Sequence, residues 1–184
     1  MKRYSGNRDP RFVAIHRGGD LDLATHRLLV AWAADCAEHV LHLFTEVHPS
    51  DARTSHAILI AREWASGNAT VAQARQAAFG AHAAARESSD SAAIEVARAA
   101  GHAVATAHMA DHELGAAAYA IWAVLKSVSK IDVNQVAESE CRWQQAQLSD
   151  AIRELVLSDQ QNRNPKFKNI FSASPPSFYQ ATSD

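Results

Sequence analysis

The sequence lacks the features that place a chain in a membrane or direct it to secretion. It has no run of about 18 apolar residues, so we expect no membrane-spanning helix. Polar residues follow the basic Lys2 and Arg3, so no secretory signal is expected. Cys36 and Cys141 are far apart in helical patterns, which is typical of buried reduced thiols. These absences predict a cytoplasmic protein.

Aromatic residues and unbalanced charge are also scarce. Aromatic side chains make up 7% of the chain and the net charge is −2, so no basic excess indicates a nucleic-acid partner. Alanine instead supplies about a fifth of the 184 residues. It is the best helix former, and its small side chain covers little of a sheet. With no alternating strand pattern, the composition predicts an all-α fold with closely packed helices.

Hydrophobic periodicity and capping residues divide the chain into three parts. We predict an N-terminal arm over 1–19, a helical bundle domain over 20–160 and an irregular tail over 161–184. The bundle is predicted to be a single domain of about six antiparallel helices, over about 20–47, 51–66, 70–87, 88–109, 111–127 and 133–158. Part of the tail is expected to dock on the bundle through Phe167, Ile170 and Phe171.

One strip of the first predicted helix combines charge, imidazole and a large aromatic side chain. This acidic strip consists of Trp32, Asp35, Glu38, His39 and His42, which share one side at helical spacing. A tryptophan in such a strip is either covered by another element or reserved for a partner. We favour a solvated or partner-facing strip, while a buried polar network and a metal site stay open as alternatives.

A second strip lies on the third predicted helix. This basic strip consists of Arg75, His82 and Arg86, in line with the apolar Val71 and Phe79. The same helix has a separate polar side that suits solvent, so two arginines here need another explanation. We favour ion pairing with the acidic strip. An exposed basic face and a binding site for an acidic ligand are the alternatives.

The remaining polar side chains match no known catalytic motif. Glu95, Arg98, His102 and Thr106 have the spacing of ordinary surface pairs. The pair His108 and His112 lacks the glutamate that a zinc protease needs directly after the first histidine, so we expect a core histidine at 112 rather than a ligand. No nucleophile elbow, phosphate loop or dinucleotide fingerprint is present. We therefore predict neither an enzyme nor a cofactor or metal site.

The order of several segments resembles a bacterial protein family. The segments are Arg17-Gly-Gly-Asp20, Trp32-Ala-Ala-Asp-Cys-Ala-Glu-His39, Ala61-Arg-Glu-Trp64, Ala81-His-Ala-Ala-Ala-Arg86, Ala99-Ala-Gly-His-Ala-Val-Ala-Thr-Ala-His108 and Leu155-Val-Leu-Ser-Asp-Gln160. The chain resembles the all-α immunity proteins of polymorphic toxin systems over about 11–171. Departures occur at Thr54-Ser55 and at Pro165-Lys-Phe-Lys168, both at the edges of predicted elements.

The resemblance implies a small cytoplasmic protein that binds and neutralises a cognate toxin, and it does not imply an enzyme. Under this hypothesis the acidic strip with Trp32 contacts the toxin domain, because many toxins that act on nucleic acid are basic. Two alternatives stay open. One is a metal-binding helical enzyme that uses the histidines, among them His39, His42, His82, His102 and His108; the other is a scaffold that self-associates into a homo-oligomer.

Overall fold

The structure is a computed structural model that describes residues 3–128 and 133–172 of the chain. Every regular element in these two ranges is helical, so the predicted all-α class is confirmed. The α-helices within them are α1 (Leu23–His39), α2 (His42–Thr45), α3 (Arg53–Ser66), α4 (Val71–Glu87), α5 (Ser91–Ala105), α6 (Glu113–Ser127), α7 (Val133–Ala146) and α8 (Asp150–Arg163).

Polar residues set the starts of the main helices. The Asp22 carboxylate accepts a hydrogen bond from the Thr25 amide at 2.8 Å, and Asp90 caps α5 in the same way. Thr70 opens α4 with a capping box, in which its side chain and that of Gln73 exchange hydrogen bonds with the backbone. Each cap satisfies an amide that the first helical turn leaves without a partner. These starts lie within a few residues of the predicted ones.

Two of the predicted helices are divided in the structure, so the described residues form eight α-helices where about six were predicted. The first ends at His39. Val40 in the following turn and Phe44 in the short α2 are both buried in the core. The last is divided between α7 and α8, where Leu148 is buried and Ser149 takes the N-cap position. In both connections the burial of apolar side chains favours a turn over continued helix.

The main core is built largely from alanine. α5 packs against α1, α3, α4 and α6, while α6 packs against α1, α5 and α7. The alanines of α4, α5 and α6 that face these contacts have almost no exposed surface. Because an alanine side chain is a single methyl group, the helices approach closely and leave little space between them. α6, predicted to lie in the middle of the bundle, is buried around most of its circumference.

A second core attaches the N-terminal segment and α8 to the bundle. It contains apolar residues from the segment, α1, α6 and α8, including Phe12, Leu29, Trp32, Leu114 and Ile152. After α8 the chain makes a 3-10 turn over Asn164–Phe167, Ile170 is buried, and Phe167 and Phe171 pack on the cores. The rest of the predicted tail, 173–184, lies outside the described residues.

Both cysteines are buried and free, as predicted. Burial raises the pKa of Cys36 well above its ordinary value, and it raises the pKa of Cys141 to about 11. Thiols with raised pKa values are present as unreactive thiols rather than thiolates at neutral pH. Neither side chain therefore has the properties of a catalytic nucleophile.

Candidate functional site

Trp32 lies in the interior rather than on a surface. Its side chain is 2% exposed, and its Nε1 donates a hydrogen bond to the carbonyl oxygen of Gln144 at 2.8 Å. Of the two alternatives that the sequence left, cover by another element is the one observed, and α7 supplies it. The expectation that Trp32 itself contacts a partner is therefore wrong, because the indole is enclosed and its N–H is already paired.

The carboxylates of the acidic strip are paired with a neighbouring helix. Arg62 of α3 donates to Asp35 at 2.8 Å and also to Glu38. Both carboxylates keep part of their surface in solvent, and His42 at the end of the strip is exposed. The strip is thus a partly solvated face whose negative charge is reduced by one arginine. Sequence reasoning missed Arg62 because nothing in its own helix marks it as the partner of α1.

The fourth member of the acidic strip, His39, is held by α7. Its ring stacks on the Trp143 indole with centroids 3.6 Å apart and an interplanar angle of 8°. Its Nδ1 lies 2.9 Å from the buried carboxylate of Glu140. Glu140 is buried, but the His39 side chain keeps 39% of its surface exposed, so this part of the strip is held by α7 and still partly open to solvent.

The basic strip on α4 is open to solvent. Phe79 is 63% exposed, Val71 is 41% exposed, and the side chains of Arg75 and Arg86 are also exposed. Among the residues that the structure describes, neither arginine forms an ion pair. The expected pairing with the acidic strip is wrong, since Arg62 takes that place. Only His82 of this strip is half-buried, and it faces the neighbouring α5.

His82 begins a line of four imidazoles that runs inward from the basic strip. The centroid of His82 lies 5.5 Å from that of His102, His102 lies 5.2 Å from His112, and His112 lies 5.6 Å from His108. Tyr119 stacks on His102 at 5.1 Å. A small cavity of about 190 Å³ lies beside them. Sequence reasoning placed these histidines in separate groups, because spacing within one helix does not show which faces of neighbouring helices meet.

Two glycines make room for these rings. A Cβ at Gly101 would lie 2.6 Å from the His82 imidazole, and a Cβ at Gly115 would lie 2.4 Å from Nδ1 of His102. A Cβ atom in a real protein essentially never lies this close to an atom of another side chain. Each ring therefore occupies a space that only glycine leaves open. His102 is thus held between α5 and α6, where its Nδ1 is buried without a hydrogen-bond partner.

The buried imidazoles are neutral at physiological pH. Burial, together with nearby positive charge, lowers the pKa values of His82 and His102, and the pKa of His102 falls to about 3. Burial also lowers the pKa values of His108 and His112, although Asp111 partly opposes this. In the ranges 3–128 and 133–172, no three histidine, cysteine or carboxylate side chains are arranged to hold a metal ion.

The predicted surface pairing around Glu95 is also wrong in one respect. Glu95 is 3% exposed, and its carboxylate is bound by Arg98 of the same helix and by Lys126 at the end of α6. A buried carboxylate needs partners of this kind to offset the loss of water. The contact of Glu95 with Lys126 therefore joins α5 to α6, and Glu95 does not form a solvated contact along one helix only.

Comparison with known proteins identifies the family but not the chemistry. No helix in the described part of the chain combines the length and apolar character needed to cross a membrane. No curated protein and no solved structure matches the chain. The sequence model of one family matches residues 19–151, well over half of the chain, and this family is described as Imm-5 like putative immunity protein. The match covers α1 to α7 and agrees with the resemblance found in the sequence, so the chain belongs to the family of Imm-5-like immunity proteins.

Proposed function

We propose that this protein binds a cognate bacterial toxin in the cytoplasm and neutralises it by direct contact, without a chemical step or a cofactor. Membership in an immunity protein family is the observation that carries the proposal. Proteins of this kind act by covering a surface of the toxin, so the question for this chain is which surface makes the contact. The basic strip of α4 is the better candidate of the two strips.

The composition of the basic strip supports this choice. Phe79 is the most exposed of the large apolar side chains in the described residues, and Arg75 lies one helical turn before it. Aromatic and arginine side chains supply most of the energy at protein interfaces when a partner removes them from water. Neither Arg75 nor Arg86 is bound within the described part of the chain, so both are available to carboxylates of a partner.

Charge complementarity defines the partner. The exposed arginines require a toxin surface that is acidic around an apolar centre. A second copy of this chain is a poorer occupant, because a symmetric dimer through the basic strip would bring identical positive charges together. The acidic strip remains the competing surface, although Arg62 already offsets the charge of Asp35 and Glu38.

The proposal is tested with a purified toxin domain identified by reading the neighbouring open reading frames. Phe79→Ala should weaken binding by about 30-fold, which corresponds to about 2 kcal/mol and is typical of an interface hot spot. Leu59→Ala on α3 is the matched control, because Leu59 is also more than half exposed. Titration calorimetry gives the affinities, and circular dichroism checks that each variant is folded.

Charge reversal separates the two strips. Arg75→Glu should slow association and make it less sensitive to salt, since steering acts on the rate of encounter. The double variant Asp35→Lys, Glu38→Lys should leave the association rate close to that of the wild type. The reverse pattern would assign the contact to the acidic strip, and no binding by the wild-type protein would reject neutralisation by contact. Light scattering of the free protein would reveal dimers if a second copy occupies the strip.

A further inference from the structure

A larger cavity, which shares His108 with the line of histidines, lies where the N-terminal segment crosses the ends of four helices. Its volume is about 590 Å³, and its walls come from residues 8–17, the start of α1, the end of α3, the start of α4 and the connection after α5. Sites for small molecules in proteins have volumes of about 300–1,000 Å³. The cavity is therefore large enough for a ligand of about ten to twenty non-hydrogen atoms.

Most of the cavity surface is apolar. The buried rings of Phe12 and Trp64 contribute to its walls, together with Leu21. At the edge, Ile15 is 48% exposed and Leu23 is 56% exposed. A flat apolar ligand would cover the exposed edge residues and contact the two rings, and the removal of this surface from water favours binding.

Three of the six charged or imidazole side chains that line the cavity are already paired within the protein. Arg8 donates two hydrogen bonds to the Asp111 carboxylate at 2.6 and 3.0 Å. Nε2 of His26 lies 2.7 Å from the carbonyl oxygen of Thr106, and Asp22 is used as the cap of α1. None of these groups has to leave its partner for a ligand to enter.

Three polar side chains in the lining make no side-chain hydrogen bond within the described residues: His16 and Arg17, which are exposed, and His108. Arg17 makes no side-chain hydrogen bond or ion pair within the described residues, and Nδ1 of His108 is buried without a partner. Both side chains line the cavity, and Arg17 lies close enough to act on the His108 imidazole. Because Nδ1 is enclosed, a ligand in the cavity meets only the part of the His108 ring that lines it. The only carboxylate in the lining, Asp22, is engaged in its cap.

We propose that this cavity binds a carboxylic acid with a flat apolar body, with its carboxylate held by Arg17 and His108. The free arginine gives the cavity a positive charge, and the rings of Phe12 and Trp64 receive the apolar body. Either a free acid or the apolar C-terminal residue of a peptide presents this chemistry. The proposal concerns a site beside the basic strip and does not depend on toxin binding.

Protonation of His108 should couple to binding. Burial and the positive charges of Arg75, Arg17 and Arg8 lower the pKa of His108, while Asp111 opposes them. His112, with ring centroids 5.6 Å apart, is a further titratable group that faces it, and His16 lines the same cavity. A bound carboxylate favours the charged imidazole and raises its pKa. Binding should therefore tighten as the pH falls from about 8 to about 5.5, as linkage requires.

The probes are 2-naphthoate and its neutral counterpart 2-naphthalenemethanol, measured by titration calorimetry on the full-length protein. We expect a Kd at or below about 1 mM for the acid, as is ordinary for about a dozen atoms, and binding at least about tenfold weaker for the alcohol. A tetrapeptide ending in phenylalanine, with a free carboxylate or as its amide, tests the second source. Preference for the free-carboxylate peptide over naphthoate would assign the site to a chain terminus.

Variants test the two residues separately. Arg17→Gln should weaken binding of the acid about tenfold and leave the alcohol unchanged. Arg86→Gln is the control, because Arg86 is an exposed arginine outside the cavity lining. His108→Gln should reduce the dependence of affinity on pH, and His16→Gln measures the part that His16 contributes. Equal affinities for acid and alcohol, equal effects of the two arginine variants, or no binding of any carboxylate probe would each overturn the proposal. Toxin binding enters none of these measurements, so the two proposals can fail independently.

Discussion

At the scale of single residues, Arg163 joins two carboxylates and a backbone carbonyl. It binds Glu113 of α6 at 3.0 Å, pairs with Asp159 of its own helix, and donates to the carbonyl oxygen of Asp111 at 2.7 Å. Glu113 is completely buried, and burial raises its pKa well above the ordinary value although Arg163 opposes the shift. The guanidinium therefore offsets two carboxylates that have lost most of their water.

Removal of Arg163 should be costly. Arg163→Met should lower the free energy of unfolding by about 3–5 kcal/mol, because Glu113 and Asp159 would stay buried without a cation. Arg142→Met is the control, since Arg142 forms an exposed pair with Glu138 that is worth no more than about 1 kcal/mol. Urea denaturation at neutral pH measures both. Equal losses for the two variants would contradict the role assigned to Arg163.

The sequence predicts which residues share a helix face, but not what covers that face. Helical spacing correctly grouped Phe79 with Arg75 and Arg86, and all three are exposed. The same spacing grouped Trp32 with charged residues, yet α7 covers the indole. Glu95 likewise has the spacing of a surface pair and is buried. Whether a helix face is buried depends on another helix that packs against it, and residue spacing within the first helix carries no information about the second.

At the scale of elements, the contact between α5 and α6 includes a close fit between one ring and one glycine. The His102 imidazole of α5 occupies the space where a side chain at Gly115 of α6 would begin. Glycine inside a helix costs about 1 kcal/mol relative to alanine, so its presence here needs a packing reason. The reason is the close approach of the two helices around the ring.

A double-mutant cycle tests this contact. Gly115→Ala should destabilise the wild-type protein by about 1–2 kcal/mol, because overpacking costs more than the gain in helix propensity. In the His102→Ala background the same change should become neutral or stabilise by up to about 1 kcal/mol, since the ring is gone. Thermal and urea unfolding give the four free energies. Additive effects would show that the ring and the glycine are independent.

Helix starts were predictable and two of the helix ends were not, for a physical reason. The caps Asp22, Thr70 and Asp90 act on amides three residues away, so their signal is local. The chain turns after His39 and before Ser149 without a glycine or proline at either point. These turns bury Val40, Phe44 and Leu148 against other helices. The free energy gained by this burial comes from tertiary contacts, which the local sequence does not indicate.

At the scale of the whole molecule, the two charged strips differ in whether their charged groups are paired with other helices. The carboxylates of the acidic strip are bound by Arg62, whereas the arginines of the basic strip face solvent. Composition predicted the all-α class and the alanine core, because both follow from helix propensity and side-chain volume. Which helices lie next to each other was not predictable, and this arrangement determines which strip stays exposed to solvent.

The buried histidines make the folded state sensitive to acid. Burial lowers the pKa of His102 to about 3, below the ordinary value of 6.5 that applies in the unfolded chain. The unfolded state then binds protons more readily, so stability is lost as the pH falls below about 6.5 towards about 3. His82, His108 and His112 shift in the same direction, while the raised pKa of buried Glu113 acts in the opposite direction.

Comparison with a variant isolates the contribution of His102. Between pH 7 and pH 5, linkage for a shift of this size predicts a loss of about 2 kcal/mol from His102 alone. The wild type should therefore lose about 2 kcal/mol more than His102→Leu over this interval, as measured by urea denaturation at both pH values. His42→Leu, at an exposed position, controls for removal of an imidazole in general. Equal losses in wild type and His102→Leu would mean that His102 is not held neutral by the fold.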